Sequence, residues 1–342
     1  MDSRNNRLQW VDSMKAFSIM AVVLNHTHIM PEIRTAVYLV CLPAFFFSAG
    51  LFASTRLSPG EFFVNKTLRL LIPFLFWGAV SWLAWLLIGR HYGADAGTDL
   101  EWWRPLWGML CGNTKMMPHN PPLWFLCCLM CLEWLHYGIS RIPRKRLRWL
   151  IIFFLALLGC ILSLDGRAWP LDVSAAFIVL PLYAFASENA TLVKEKARTA
   201  SALVLLLALI VSLAGVGTGY LFNGDVALAE TRIGNPVIYY ITILSVVVMW
   251  FSVSLLLERT GAPLRGLQYI GQNTLLVLCT HMPVFGMIKG IGLVCRIPLE
   301  FFETTAGCLC LWVGAFVLIL PATFFFNRFC PVLVGKRRSA NP

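Results

Sequence analysis

Residues 11–30 read VDSMKAFSIMAVVLNHTHIM, and the reading of this stretch decides the fold. An apolar run of roughly 20 residues is long enough to cross a bilayer as a helix. This one carries Asp12, Lys15, His26 and His28 within it. An Asp or Lys at the centre of a membrane helix costs about 2.5–3.5 kcal/mol, so such residues are expected to face protein or a water-filled cavity and to be functional. Helical periodicity sharpens the expectation. At about 100° per residue, Lys15 and His26 lie about 20° apart around the helix axis, with Asp12 about 40° from His26 on the same side. His28 falls on the opposite face, where packing or the outer interface would occupy it. The helix therefore presents one polar stripe, with Asp12 and Lys15 near its start and His26 about 16 Å beyond Lys15. The plainer alternative is an i,i+3 ion pair at the membrane boundary plus a histidine bonded to a neighbouring helix.

Composition points the same way. Of 342 residues, 58% are hydrophobic and 13% charged, and the mean hydropathy is +0.72, well outside the range of soluble domains. The early charges interrupt any signal-peptide core, so the first hydrophobic segment is expected to be retained. Eleven cysteines sit mostly in apolar runs, as at Cys127, Cys128, Cys308 and Cys310, and no CxxC or Cys/His cluster has zinc spacing. Neither a disulfide framework nor a metal is expected.

Working outward from the first stretch, the chain divides into about ten membrane helices, near 11–30, 35–54, 67–89, 121–140, 147–164, 170–187, 199–222, 236–257, 267–290 and 303–326. The expected fold is all-α, a polytopic bundle forming a single membrane-embedded domain over 1–342. The net charge of +11 is explained by its distribution. Alternate connections, from Arg4 and Arg7 through the 141–148 cluster to Lys336, Arg337 and Arg338, hold 19 of the 28 basic residues. The intervening connections hold Arg34, Arg90, Arg104, Lys115, Arg167, Arg232 and Arg296, while Lys15 and Lys289 lie inside helices. The positive-inside rule then makes both termini cytoplasmic, in a multi-pass protein of a bacterial inner or plasma membrane. The charge is topology, and no nucleic-acid partner is expected.

Four further features bear on chemistry. Ser48, Ala49 and Gly50 in the second helix suit close helix packing. Lys66 and Arg69, at the cytoplasmic mouth of the third helix, read equally as topology anchors or as cations for the phosphates of a cytosolic ligand. Trp102, Trp103 and Trp107 suit an interfacial belt or, less directly, a sugar-stacking surface, and His119 nearby reads as solvated. Glu133 lies near mid-depth in the fourth helix, where it should pair with a cation or histidine or stay protonated. His281 in the ninth helix should reach the level of His26, either in a shared site with Glu133 or in a helix-to-helix hydrogen bond. No Walker loop, dinucleotide-binding glycine fingerprint, GxSxG elbow or HExxH occurs, and no internal repeat supports a transporter of inverted halves.

The order of these features resembles the acyltransferase-3 family of integral membrane acyltransferases, particularly its fucose 4-O-acetylase-like branch. The matching segments are WVDSMKAFSIMAVVLNH (10–26), LPAFFFSAGLF (42–52), KTLRLLIPF (66–74), LWFLCCLMCLEW (123–134) and NTLLVLCTHMPV (273–284), spread over nearly the whole chain. The resemblance implies that His26 is catalytic, that Lys15 stands where the family often has arginine, that Asp12 fills its acidic position, and that Arg69 fills its basic position before the third helix. The family's SG motif reads SAG here, so no role passes to Ser48. The hydrolase-like extra domain of some relatives is expected to be missing.

The implied activity is transfer of an acyl group, acetyl from acetyl-CoA, to a hydroxyl of a surface polysaccharide or its lipid-linked precursor. Acetyl-CoA is then a donor substrate, received by Lys15, Lys66 and Arg69, and the partners are that donor, the glycan acceptor and membrane lipid. His26 serves as general base or transient acyl carrier, Asp12 orients Lys15, and Glu133 and His281 tune the site or position the acceptor. Two competing readings are a transporter, since intramembrane polar residues also mark ion pathways, and a polysaccharide-export partner without activity.

Overall fold

The computed structural model describes residues 7–54, 56–92, 100–113, 116–166, 169–224 and 226–336. Arg4, Lys115, Arg167, Arg337 and Arg338, counted above in the charge distribution, lie outside the described residues. Fifteen helices follow in order: α1 (Gln9–Asn25), α2 (Pro31–Val40), α3 (Pro43–Leu51), α4 (Pro59–Ala84), α5 (Arg90–Tyr92), α6 (Arg104–Leu110), α7 (Trp124–Ser140), α8 (Lys145–Leu164), α9 (Val173–Glu188), α10 (Ala190–Thr199), α11 (Ala202–Phe222), α12 (Pro236–Arg259), α13 (Arg265–Gln272), α14 (Thr274–Val294) and α15 (Thr305–Phe329). Among the described residues, nine segments are long and apolar enough to cross a membrane. The protein is an all-α polytopic membrane protein.

Helix α1 is the centre of the bundle. Trp10, Val11, Ser13, Met14, Ala16, Ile19, Val22 and Val23 are all buried, and at about 100° per residue they project around the whole circumference rather than along one face. Neighbouring helices therefore enclose α1: Trp312 of α15 donates to the Met20 carbonyl, Phe17 stacks on Trp250 of α12, and Trp10 meets Phe251 edge-on. By contrast α11 is largely exposed, with Leu203, Ile210, Val211 and Leu221 facing outward, as a lipid-facing helix requires.

The boundaries depart from the sequence expectation at four places. Helix α1 ends at Asn25 rather than near residue 30; its 17 residues span about 25 Å, and His28 beyond it takes φ 61, which no helix continues. The second membrane segment begins at Pro31 and breaks between Val40 and Pro43, because Pro43 starts a new helix and has no N–H to continue the old one. The third begins at Pro59, not 67. Ser58 and Glu61 form a reciprocal capping box there, which places Lys66 and Arg69 within α4 instead of before it. The ninth breaks at Asn273, whose amide donates to the Tyr269 carbonyl and so ends α13.

Small residues allow the closest contacts, as expected at Ser48–Gly50. A Cβ at Gly50 would lie 2.4 Å from the Tyr183 carbonyl oxygen, so α3 meets the α9 backbone directly. Trp102, Trp103 and Trp107 are exposed, in keeping with an interfacial belt.

Candidate functional site

The polar stripe of α1 has two ends, and different neighbours complete each. At the first, the Asp12 carboxylate is buried and saturated with donors. Arg7 Nε lies 2.6 Å from Oδ2 and Arg7 Nη2 lies 3.3 Å from Oδ1. Lys15 Nζ lies 3.0 Å from Oδ1, and Gln272 Nε2 of α13 donates to Oδ2 at 3.3 Å. The side chain of Asp12 is 4% exposed and that of Arg7 51%, so the carboxylate anchors a pair of cations that reach the surface. Gly271 makes this possible. A Cβ there would lie 1.8 Å from the Asp12 carbonyl oxygen, so only glycine lets α13 lie against α1.

Two more cations join this end. Arg69 of α4 makes no ion pair among the described residues, and it lies within electrostatic reach of Lys15. Beyond α15 the chain folds back as a short 3-10 turn, Pro331–Val334, held by the Trp77 indole, which donates to the Leu333 carbonyl. This turn delivers Lys336, whose Nζ lies 2.7 Å from Asn327 Oδ1 and 3.2 Å from Asn273 Oδ1. Asn327 Nδ2 also donates to Asn273 Oδ1, so the residue that breaks α13 from α14 also seats the tail. Partial burial first, then repulsion from Arg7, Lys15 and Arg69, pulls the Lys336 ammonium below its ordinary range. Four cations thus gather at this end, Arg7 and Lys15 on the Asp12 carboxylate and Arg69 and Lys336 within electrostatic reach of them. Lys15 and Arg69 were marked in the sequence; Arg7 and Lys336 were not, because nothing in a linear charge pattern shows a terminal lysine returning to the first helix.

At the far end of α1, His26 meets His281 of α14. Their ring centroids are 5.1 Å apart with planes at 65°, so the depth expected for His281 matches that of His26. His26 Nδ1 lies 2.7 Å from the Val22 carbonyl oxygen, and His281 Nδ1 lies 2.9 Å from that of Val277. A carbonyl only accepts, so each neutral ring carries its proton on Nδ1 and keeps the Nε2 lone pair for chemistry. His281 is fully buried and its Nε2 has no partner among the described residues. His26 is only partly buried, so of the two it is the one open to a reactant. Both helices reach this level by tying each ring back one turn along its own axis.

Glu133 does not join the histidines. Its Oε1 accepts from Lys66 Nζ at 2.6 Å, linking α7 to α4 as a largely buried ion pair with side chains 8% and 20% exposed. Of the expectations for Glu133, pairing with a cation is the one the structure shows. Here one cation faces one carboxylate, whereas Asp12 is shared by two cations, so the Lys66 charge is matched and that of the Asp12 group is in excess. The Lys66 Nζ also lies 5.8 Å from the centroid of the Phe62 ring, within range of a cation–π contact.

His119, read as solvated, is instead 9% exposed, and burial holds its imidazole down at about 4. The reason is Asn120 beside it. The Asn120 amide donates to Ser81 Oγ of α4 at 2.8 Å and to the Cys279 carbonyl of α14 at 2.9 Å, pulling this connection into the bundle. Asn120 was not marked in the sequence, although an Asn before two prolines at the head of a membrane helix is the kind of residue that caps and cross-links. No group of three or more His, Cys, Asp or Glu side chains suited to a metal occurs among the described residues.

Residues 8–328 match the family model of the acyltransferase-3 type, described as an acyltransferase domain. No curated protein and no solved structure matches.

Proposed function

The chain belongs to the acyltransferase-3 family of membrane acyltransferases, and from that premise we propose that it transfers acetyl from cytosolic acetyl-CoA to a hydroxyl of a surface polysaccharide or its lipid-linked precursor, as in the fucose 4-O-acetylase-like branch. The observation that carries the reading is that one buried helix joins a cluster of four cations to a pair of histidines. A coenzyme A tail is polyanionic, and Arg7, Lys15, Arg69 and Lys336, brought together at the start of α1, form a group of cations suited to its phosphates. By the positive-inside rule this end faces the cytosol, where the donor is found.

From there the pantetheine arm has to follow α1 for about 16 Å to bring the thioester to His26. The Nε2 lone pair of His26 takes the proton of the acceptor hydroxyl as its oxygen attacks the acetyl carbonyl carbon. The C–S bond then breaks, the ester is formed, and the imidazolium returns the proton to the leaving thiolate. The Nδ1–H bond to Val22 fixes the tautomer that this step needs. His281 packs edge-on against the reacting ring and holds its orientation. Asp12 acts at a distance, by fixing Lys15 and Arg7, because about 21 Å of helix separates it from His26. Lys66 and Glu133 serve the bundle as a structural pair.

The test is mass spectrometry of surface glycans from cells with and without the protein. A difference of one acetyl group per modified residue is expected, and identical spectra from a well-expressed protein would remove the assignment.

A further inference from the structure

At the end of the bundle opposite the cation cluster, a cavity of about 370 Å³ opens beside the start of α2. It is lined by His28 from the turn after α1, by Arg34, Thr35 and Tyr38 of α2, and by Glu230 and Arg232 of the connection between α11 and α12. Its size falls within the range of small-molecule sites, about 300–1,000 Å³. The left-handed turn at His28 carries the chain from His26 to the cavity wall in two residues. Tyr38 connects them a second time, since its hydroxyl neighbours the side chain of Asn25, the last residue of α1.

The charges in the wall are unequal. Arg232 and Glu230 form an ion pair at 2.9 Å. Arg34 is exposed and has no ion pair among the described residues. It lies within electrostatic reach of both His26 and His28. From α14, Lys289 adds a second positive charge near His28, and Glu303 before α15 adds a negative one. Membrane topology does not account for Arg34, because the connections at this end hold only 7 of the 28 basic residues and the positive-inside rule selects against them. A guanidinium left without a carboxylate in the wall of a cavity offers a planar fork to a carboxylate or phosphate. The rest of the wall suits a sugar: Thr35, Tyr38 and the Glu230–Arg232 pair offer hydrogen bonds to hydroxyls, while Ile29, Pro31 and Leu39 offer apolar faces.

We propose that this cavity is the acceptor site and that it takes an anionic sugar, with Arg34 holding the sugar's carboxylate or phosphate while a ring hydroxyl faces His26. The assignment rests on the acyltransferase reading above, with donor and acceptor meeting at His26 from opposite ends of α1. A neutral sugar uses the same wall without the charged contact and binds more weakly.

The experiment uses the purified full chain in detergent, as wild type, Arg34→Gln, Arg34→Lys and Arg69→Gln. Three probes are titrated against each by saturation-transfer NMR: methyl glucuronoside, glucose 1-phosphate and methyl glucoside. Coenzyme A binding is measured on the same samples. At least one acidic probe is expected to bind wild type about tenfold more tightly than the neutral one, a difference of about 1.4 kcal/mol. Arg34→Gln loses that preference, Arg34→Lys keeps part of it, and Arg69→Gln keeps it fully. A preference for the carboxylate alone assigns the site to an acidic sugar of the polymer; a preference for the phosphate alone assigns it to a lipid-linked sugar phosphate. The proposal is overturned by equal binding of acidic and neutral probes to wild type, by a preference that survives in Arg34→Gln, or by one that vanishes in Arg69→Gln, which would place the anion at the donor end. Coenzyme A binding retained in Arg34→Gln shows an intact fold. Its absence in wild type would instead sink the acyltransferase reading, whatever Arg34 does.

Discussion

Replacing Lys66 by Met separates a structural cation from a ligand-binding one. The substitution keeps most of the aliphatic stem and removes the ammonium that lies 2.6 Å from Glu133 Oε1. The other carboxylate oxygen, Oε2, is buried and has no partner among the described residues, so nothing else stands ready to share the charge. Removing one member of a buried ion pair typically costs about 3–5 kcal/mol, because the remaining charge is left uncompensated. The reverse change, Glu133→Gln, leaves a lysine that is 20% exposed, on a flexible stem that can swing toward the surface, so it costs less. Lys66→Met with Glu133→Gln should recover most of the loss, with a coupling of about 0.5–3 kcal/mol in a double-mutant cycle. The assay is the temperature at which half of the detergent-solubilised protein stays monodisperse on size exclusion, read beside coenzyme A affinity for all four proteins. The expected order of stability is wild type, then the double variant and Glu133→Gln, with Lys66→Met clearly lowest. A Lys66→Met protein as stable as wild type but with about tenfold weaker coenzyme A binding, about 1.4 kcal/mol, would refute the reasoning and return Lys66 to the donor site.

Lys15→Ala and Arg69→Ala should each weaken acetyl-CoA binding by about 1.5–3 kcal/mol, the worth of a hydrogen bond to a charged group, with protein still in the membrane; unchanged affinity by calorimetry would reduce both to topology anchors. Gly271→Val drives a side chain into the Asp12 carbonyl and should destabilise the protein by about 1–3 kcal/mol or more, measured as the same size-exclusion midpoint; an unshifted midpoint would mean that α13 does not lie against α1. A cysteine placed at Arg144 in a Cys-depleted background should be labelled only from the cytoplasmic side, together with the termini, and labelling from outside would invert the topology.

How much of this was legible in the sequence follows from the range of the interactions involved. The stripe of Asp12, Lys15 and His26 is a property of one helix, and periodicity alone puts the three on one side. The meeting of His26 with His281 needed only depth, which follows from where α14 starts and which way it runs. What could not be read were contacts set by packing between distant segments. Lys66 finds Glu133 across 67 positions, and no local pattern distinguishes that lysine from Arg69 three residues later. Lys336 reaches Asn273 only because the chain folds back after α15. Helical periodicity places His28 on the opposite face only if the helix continues, and α1 stops three residues before it. His119 was read as solvated because a connection is normally at the surface, and Asn120 draws this one inward.

The central claim is that the His26 imidazole accepts a proton during acyl transfer, and His26→Gln tests it most directly. Glutamine can still hydrogen-bond to the Val22 carbonyl and to neighbours, but it cannot take up a proton near neutral pH. The measurement is the rate of acetyl transfer to the native glycan in membranes whose protein content is quantified in parallel. The account predicts normal expression, unchanged coenzyme A binding and a rate reduced by about 10²–10⁴-fold, the usual contribution of a positioned general base. A well-expressed His26→Gln protein with wild-type activity would show that the ring is structural and would contradict the account.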